Sequence, residues 1–196
     1  MIKKIFILIF LFTSATFSQA LKLGEANGLF MSVGIGPRFP VGALASTHTY
    51  GIGFDFGFSY GDNKIIPVFF FAKIGYQNFQ GSQDYYRKSD HSGISTDMIF
   101  INGGIRYYFP PVIKEFLIVM PVIDASVMFA YSETLHQYRL EFQKNSVYED
   151  FPRLGFQIGG GVSMFILDVL AYYNYLQKNQ FISLEIRARV PIFVNY

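Results

Sequence analysis

Residues 182–196 read ISLEIRARVPIFVNY. Every even position is apolar: Ile182, Leu184, Ile186, Ala188, Val190, Ile192, Val194 and Tyr196. The odd positions carry Ser183, Glu185, Arg187, Arg189, Pro191, Phe193 and Asn195, and only Phe193 breaks the polar face. Alternation with period two places successive side chains on opposite faces of a strand, whereas a helix repeats every 3.6 residues. The run exceeds the usual strand length of about 5–6 residues. A strand this long, apolar on one face and ending on an aromatic residue, is expected of a β-barrel that crosses a membrane.

Residues 49–60 repeat the pattern more cleanly. Tyr50, Ile52, Phe54, Phe56, Phe58 and Tyr60 share one face, and Gly51, Gly53, Asp55, Gly57 and Ser59 share the other. Two tyrosines thus bracket four apolar side chains. The segment between them, tilted by about 45°, rises roughly 23 Å. Outer-membrane barrels have an apolar band about 25 Å tall between aromatic girdles. Tyr76, Tyr107, Tyr131 and Tyr196 are the matching girdle candidates on other strands.

Further strands are expected over 28–38, 65–79, 96–109, 116–131, 151–165 and from beyond a brief turn near Leu167-Asp168 to about 176. With 49–60 and the last stretch they make eight, in an all-β, antiparallel, up-and-down transmembrane barrel spanning 21–196. The connections around Asp62, Pro111 and Asp168 are short, and those at 81–95 and 132–150 are long. That alternation matches short periplasmic turns and longer extracellular loops, except at the seventh connection, 177–180, which is only about four residues. Pro67, Pro121 and Pro191 fall inside expected strands, where a missing N–H is tolerated at ends or bulges.

The N-terminus, MIKKIFILIFLFTSATFSQA, has Lys3 and Lys4, then an apolar run from Ile5 to Phe12, then the small residues Thr16, Ser18 and Ala20. This reads as a secretory signal over 1–20, cleaved after Ser18 or Ala20. Its removal takes two lysines from a chain of formal charge +2, leaving zero and no basic footprint for nucleic acid. Cysteine is absent, which excludes disulfides, thiolate chemistry and a lipid-bearing cysteine. No apolar run is long enough for a transmembrane helix. A soluble barrel of the lipocalin type would turn the pattern inside out, filling its cavity with more Phe, Tyr and Ile than fits.

The inward face carries Arg38, Asp55, Lys73, Arg106, Asp124, Arg153, Glu185, Arg187 and Arg189. Turning Arg or Lys to lipid would cost about 2–4 kcal/mol each at the midplane, which sets the register. Six cations against three anions allow a narrow anion-preferring pore. The small strand number and inward Phe69, Phe71 and Phe100 favour a closed polar plug instead.

The mature chain resembles the small eight-stranded outer-membrane β-barrel proteins of the OmpA and OmpX kind, on the signal, strand count, tyrosine girdle and C-terminal alternation. Gly159-Gly160-Gly161 and the FSQA boundary are similar to those of Bacteroidetes-type barrels. The resemblance implies residence in the bacterial outer membrane, contact with lipopolysaccharide, and a terminal signal for the barrel-assembly machinery in Tyr196, Val194, Ile192, Val190 and Ala188. A monomer is expected.

His48, His91 and His136 all fall in expected extracellular loops. Some barrels of this size modify lipid A acyl chains with His, Ser and acid residues at the outer rim. Asp90 and Ser92 flank His91, and Ser132 and Glu133 precede His136, but the His-x-Ser spacing of deacylases is missing. Solvated loop histidines are therefore expected, with no catalytic set, cofactor or metal. A three-histidine metal site would need all the loops to converge. The expected role is structural or surface-binding, through loops carrying Tyr85, Tyr86, Arg87, Lys88, Tyr138, Arg139, Phe142 and Tyr148.

Overall fold

The computed structural model describes residues 27–62, 66–112, 118–164, 166–177 and 179–195. The expected signal segment, the lead-in that follows it, Tyr196 and parts of several connections lie outside the described residues.

Eight antiparallel strands follow one another around a closed ring: β1 (Asn27–Val41), β2 (His48–Asp62), β3 (Ile66–Gly81), β4 (His91–Tyr108), β5 (Met120–Tyr138), β6 (Val147–Met164), β7 (Leu167–Leu176) and β8 (Gln180–Asn195). Each strand pairs with the next, and β8 returns to β1 through pairs such as Ile35↔Ile186 and Arg38↔Ser183. Connections 1, 3, 5 and 7 emerge at one end, the loop end. The described strand ends Asn27 and Asn195 and the remaining connections lie at the other, the turn end.

Alternation in sequence becomes alternation in space. Along β7 every second residue is buried and the intervening ones are exposed. On β2, Tyr50, Ile52, Phe54, Phe56, Phe58 and Tyr60 face out, while Asp55 and Ser59 are buried inside. The exposed Val, Ile, Leu, Phe and Tyr side chains form a continuous apolar exterior. A soluble monomer rarely exposes a patch of that extent, so the surface suits lipid. No helix among the described residues is long and apolar enough to cross a membrane.

Two inward glycines make room for the charges beside them. A Cβ at Gly34 would stand 2.8 Å from Asp55 Oδ2, and one at Gly53 would stand 2.8 Å from Arg38 Nε. The β-branched residues that usually favour strands cannot occupy these positions without displacing the charged groups.

The three awkward prolines sit where a ladder is already broken. Pro67 lies in the irregularity between Gly61↔Phe69 and Asp62↔Ile66. Pro191 faces Phe30 at the register shift of the β1–β8 pair. Pro121 pairs with Val162 on β6 but lies past Tyr108↔Val122, where the β4–β5 ladder ends. Pro37 is a fourth case, in a gap of the β1–β8 ladder, and there Arg38 Nη1 donates to the Leu184 carbonyl at 3.4 Å.

The long loops are shorter than the sequence suggests. β4 begins at His91, and β5 continues to Tyr138, where residues 96–109 and 116–131 had been expected. β6 begins at Val147, and a short helix α1 (Gln83–Lys88) occupies part of the third connection. Beyond the apolar belt both strand faces meet water or polar groups. Strand pairing then continues without the apolar–polar contrast that reveals it in a sequence.

Candidate functional site

From the turn end upward, the interior is layered. Lowest is an ionic cluster around Arg106. Its Nε and Nη2 donate to the two Asp124 carboxylate oxygens at 2.7 and 2.6 Å, and its Nη1 donates to Asp168 Oδ2 at 2.9 Å. Tyr172 donates to Asp124 Oδ2 at 2.6 Å. Arg189 stands 3.7 Å from Asp168 Oδ1 and donates to Ser163 and Tyr108. Above it is a second cluster on Glu185, which accepts from Arg187 at 2.6 Å and from Arg38 at 3.1 Å. Arg187 reaches Asp55 at 3.5 Å. Lys73 Nζ lies 3.8 Å from Glu185 and 4.7 Å from the Tyr172 ring centroid. A chain of amides spans the next level, with Asn102 donating to Gln157, Gln157 to Asn174, and Asn174 to Ser183.

Two residues depart from the expected interior set. Asp168, read from the sequence as part of a turn, is the second residue of β7, fully buried and shared by Arg106 and Arg189. Arg153, read as a lumen charge, is half-buried near the loop end, donating to Ser132 Oγ and the Gln177 carbonyl. The buried interior thus holds Arg38, Lys73, Arg106, Arg187 and Arg189 against Asp55, Asp124, Asp168 and Glu185. The cation excess shrinks from three to one, which weakens the case for an anion-selective pore.

Above the amides lies an apolar layer of Phe79, Phe181, Met98, Phe100, Met128, Ala130, Leu176 and Leu44. The Phe79 and Phe181 rings meet edge-on at 5.4 Å.

The loop-end mouth gathers the three histidines, and here the expectation of solvated loop residues is corrected. His48 and His91 are the first residues of β2 and β4, and both are buried. His136 lies within β5 and is partly buried. The strands run further than expected: His136 keeps the inward parity of β5, and register shifts between His48 and Gly51 and between His91 and Gly93 bring the other two rings to the inside. His48 Nε2 is 2.9 Å from Thr96 Oγ1, which is 2.8 Å from Thr134 Oγ1. His48 Nδ1 is 2.7 Å from Thr47 Oγ1. Burial, helped by the nearby His136, lowers the His48 pKa to about 4, so this ring is neutral at pH 7.

His136 Nδ1 stands 3.3 Å from His91 Nε2. On the far side of each ring is a carboxylate: Asp90 Oδ1 is 3.1 Å from His91 Nδ1, and Glu149 Oε2 is 3.8 Å from His136 Nε2. Tyr85 OH is 3.4 Å from His91 Nδ1, and the Tyr138 ring packs on His91 at 4.6 Å. A hydrogen bond from Lys144 holds the Asp90 carboxyl below its ordinary range, so Asp90 is ionised beside His91. The ring nitrogens of the three histidines meet Thr, Tyr, His and carboxylate groups, which is not the Ser–His–acid arrangement of an acyl hydrolase.

The β5–β6 hairpin projects beyond the ring. Its strands pair from Met120↔Ser163 to His136↔Val147, whereas β7 pairs with β6 only from Gly155 onward. Among the described residues, no strand pairs with 147–154 on the side away from β5. Leu140 is 96% exposed and Tyr148 62%, with Phe142, Val147, Phe151 and Leu154 also exposed.

No protein-family model and no curated protein matches the chain. Among solved structures, the chain is similar to Neisserial surface protein A, at 16% identity and a TM-score of 0.52, covering 84% of this chain and 97% of that one. It is also similar to Ail, the attachment invasion locus protein of Yersinia pestis, at 11% identity and a TM-score of 0.50, covering 86% of this chain and all of the other. At these identities the likeness is one of fold. With its closed ring and lipid-facing exterior, the molecule is an eight-stranded outer-membrane β-barrel.

Proposed function

We propose that this integral outer-membrane protein is a surface-binding barrel with a closed lumen, presenting the β5–β6 hairpin outside the cell. One observation carries the reading: residues 147–154 form a strand that no described strand pairs on the side away from β5, with exposed apolar side chains, and its outer part, 147–151, lies above the Tyr131 girdle. A free edge offers backbone donors and acceptors to an incoming extended segment, and alternate side chains give it specificity. Pro152 lies in this segment, and a sheet edge is where a residue without an N–H is tolerated. Glu141, Glu149 and Asp150 beside the apolar residues favour a partner with basic side chains.

The same reading makes the barrel a monomer in contact with lipopolysaccharide, and makes the C-terminal strand the segment read by the barrel-assembly machinery. The testing experiment presents a display library of extended peptides to the folded barrel in detergent. The wild type is expected to enrich peptides with alternating apolar and basic positions. A variant with Val147, Tyr148 and Phe151 all changed to Ser is expected to enrich none while keeping its heat-modifiable mobility on gels. Equal enrichment by both proteins, or none by either, overturns the reading.

A further inference from the structure

The paired imidazoles at the mouth carry a second consequence, independent of the binding role of the hairpin. An ionised carboxylate only accepts hydrogen bonds. Asp90, 3.1 Å from His91 Nδ1, therefore favours the tautomer that carries the proton on that outer nitrogen, and Glu149 stands 3.8 Å from the outer nitrogen of His136. His91 Nε2 and His136 Nδ1 face each other across 3.3 Å, close enough for one ring to donate to the other. A cation lying between the two nitrogens is held by both. A shared proton is one such cation, and a metal ion is another.

The spacing suits the second. Two nitrogens each about 2.0–2.1 Å from a tetrahedral ion stand about 3.3–3.4 Å apart. A carboxylate on the outer nitrogen is also the usual support of a metal-bound histidine, fixing its tautomer and raising its basicity. The site is reachable, because the His91 and His136 side chains keep 11% and 18% of their surface exposed. We propose that His91 and His136 chelate a divalent transition-metal ion of the imidazole-preferring class, Cu²⁺, Ni²⁺ or Zn²⁺, and so tie β4 to β5 at the barrel mouth. Among the described residues no third His, Asp or Glu completes a shell, so water fills the remaining positions and the ion exchanges. Calcium and magnesium, which take oxygen ligands, do not fit.

Protons compete for the same nitrogens. The groups facing the pair are Asp90 with its partner Lys144, Glu149, Tyr85, Tyr138 and the neutral His48. The net local charge without metal therefore does not oppose a cation.

The test titrates tag-free folded barrel in detergent with Cu²⁺, read by electron paramagnetic resonance, and with Ni²⁺, read by calorimetry. Expected are one ion per barrel and hyperfine coupling to two nitrogens. His91→Gln and His136→Gln each weaken binding by about tenfold or more, Glu149→Gln weakens it without touching a ligand, and His48→Gln leaves it unchanged. Heat-modifiable mobility on gels certifies that each variant is folded. If Glu149→Gln alone folds, its weakened binding still carries the test. Equal binding by the wild type and the His91→Gln, His136→Gln double variant overturns the proposal, as does absence of binding by the wild type or loss of binding in His48→Gln.

Discussion

Asp168 and Arg153 carry opposite lessons about single charges in this barrel. Asp168 lies beside Arg106 and Arg189 with none of its surface exposed, while Arg153 is partly solvated near the mouth. Removing one partner of a buried ion cluster leaves the others desolvated, at a cost of about 3–5 kcal/mol, whereas exposed charge contacts contribute about 1 kcal/mol or less. Asp168→Asn is therefore expected to lower the urea midpoint of unfolding in detergent micelles far more than Arg153→Gln. Equal shifts would place the two residues in similar surroundings. His48 supplies a pH term. Its folded pKa of about 4 lies below the ordinary 6.5, so the folded protein resists taking up the proton that the unfolded chain accepts. This contribution is complete above about pH 6.5 and is lost as the pH falls towards 4, to a total on the order of 3 kcal/mol. His48→Gln is expected to flatten the unfolding midpoint between those values relative to wild type; a parallel curve would mean that His48 is solvated. Neither environment was readable in the sequence. Asp168 sits two residues from a turn, and His48 beside a loop rich in small residues, so their burial depends on partners more than 18 positions away.

At the scale of elements, the sequence revealed strands where lipid and lumen impose opposite chemistries on alternate residues. Residues 49–60 and 182–194 were legible for that reason, because a one-residue slip would put Asp55 or Arg187 into lipid. The upper parts of β4, β5 and β6 were not, because Ser92, Thr134, His136 and Glu149 meet water or polar groups whichever way they point. The same loss of contrast hid the histidine pair: it needs β4 and β5 to run past the belt, through Ile94↔His136 and the register shift between His91 and Gly93. The hairpin is thus structurally separable from the belt that holds the barrel. Deleting residues 140–145 and joining the strand ends with a short turn is expected to leave heat-modifiable folding intact, with loss of stability under about 1 kcal/mol, since this connection buries no side chain. A barrel that no longer folds after this deletion would assign the hairpin a part in assembly.

For the whole molecule, the decisive question is whether the lumen conducts. Eight strands enclose a space that side chains just fill. Here the filling has two unlike parts in series. The lower part is a salt-bridged network in which Arg106, Arg187 and Arg38 are bound to fixed carboxylates, so little mobile charge attracts an ion. The upper part is the apolar layer of Phe79, Phe181, Met98 and Met128, each at most 1% exposed, which supplies no group to replace an ion's hydration shell. An ion crossing the barrel would have to break the first and lose its water in the second. The wild-type barrel in planar bilayers is accordingly expected to show no discrete conductance. Replacing both Phe79 and Phe181 by Ala removes the two facing rings and leaves a gap that water from the mouth can enter. Small, brief conductance steps are then expected, while Asp55→Asn, which leaves the apolar layer whole, stays silent. Discrete steps from the wild type would show that the layer opens spontaneously and would replace the closed barrel with a gated one.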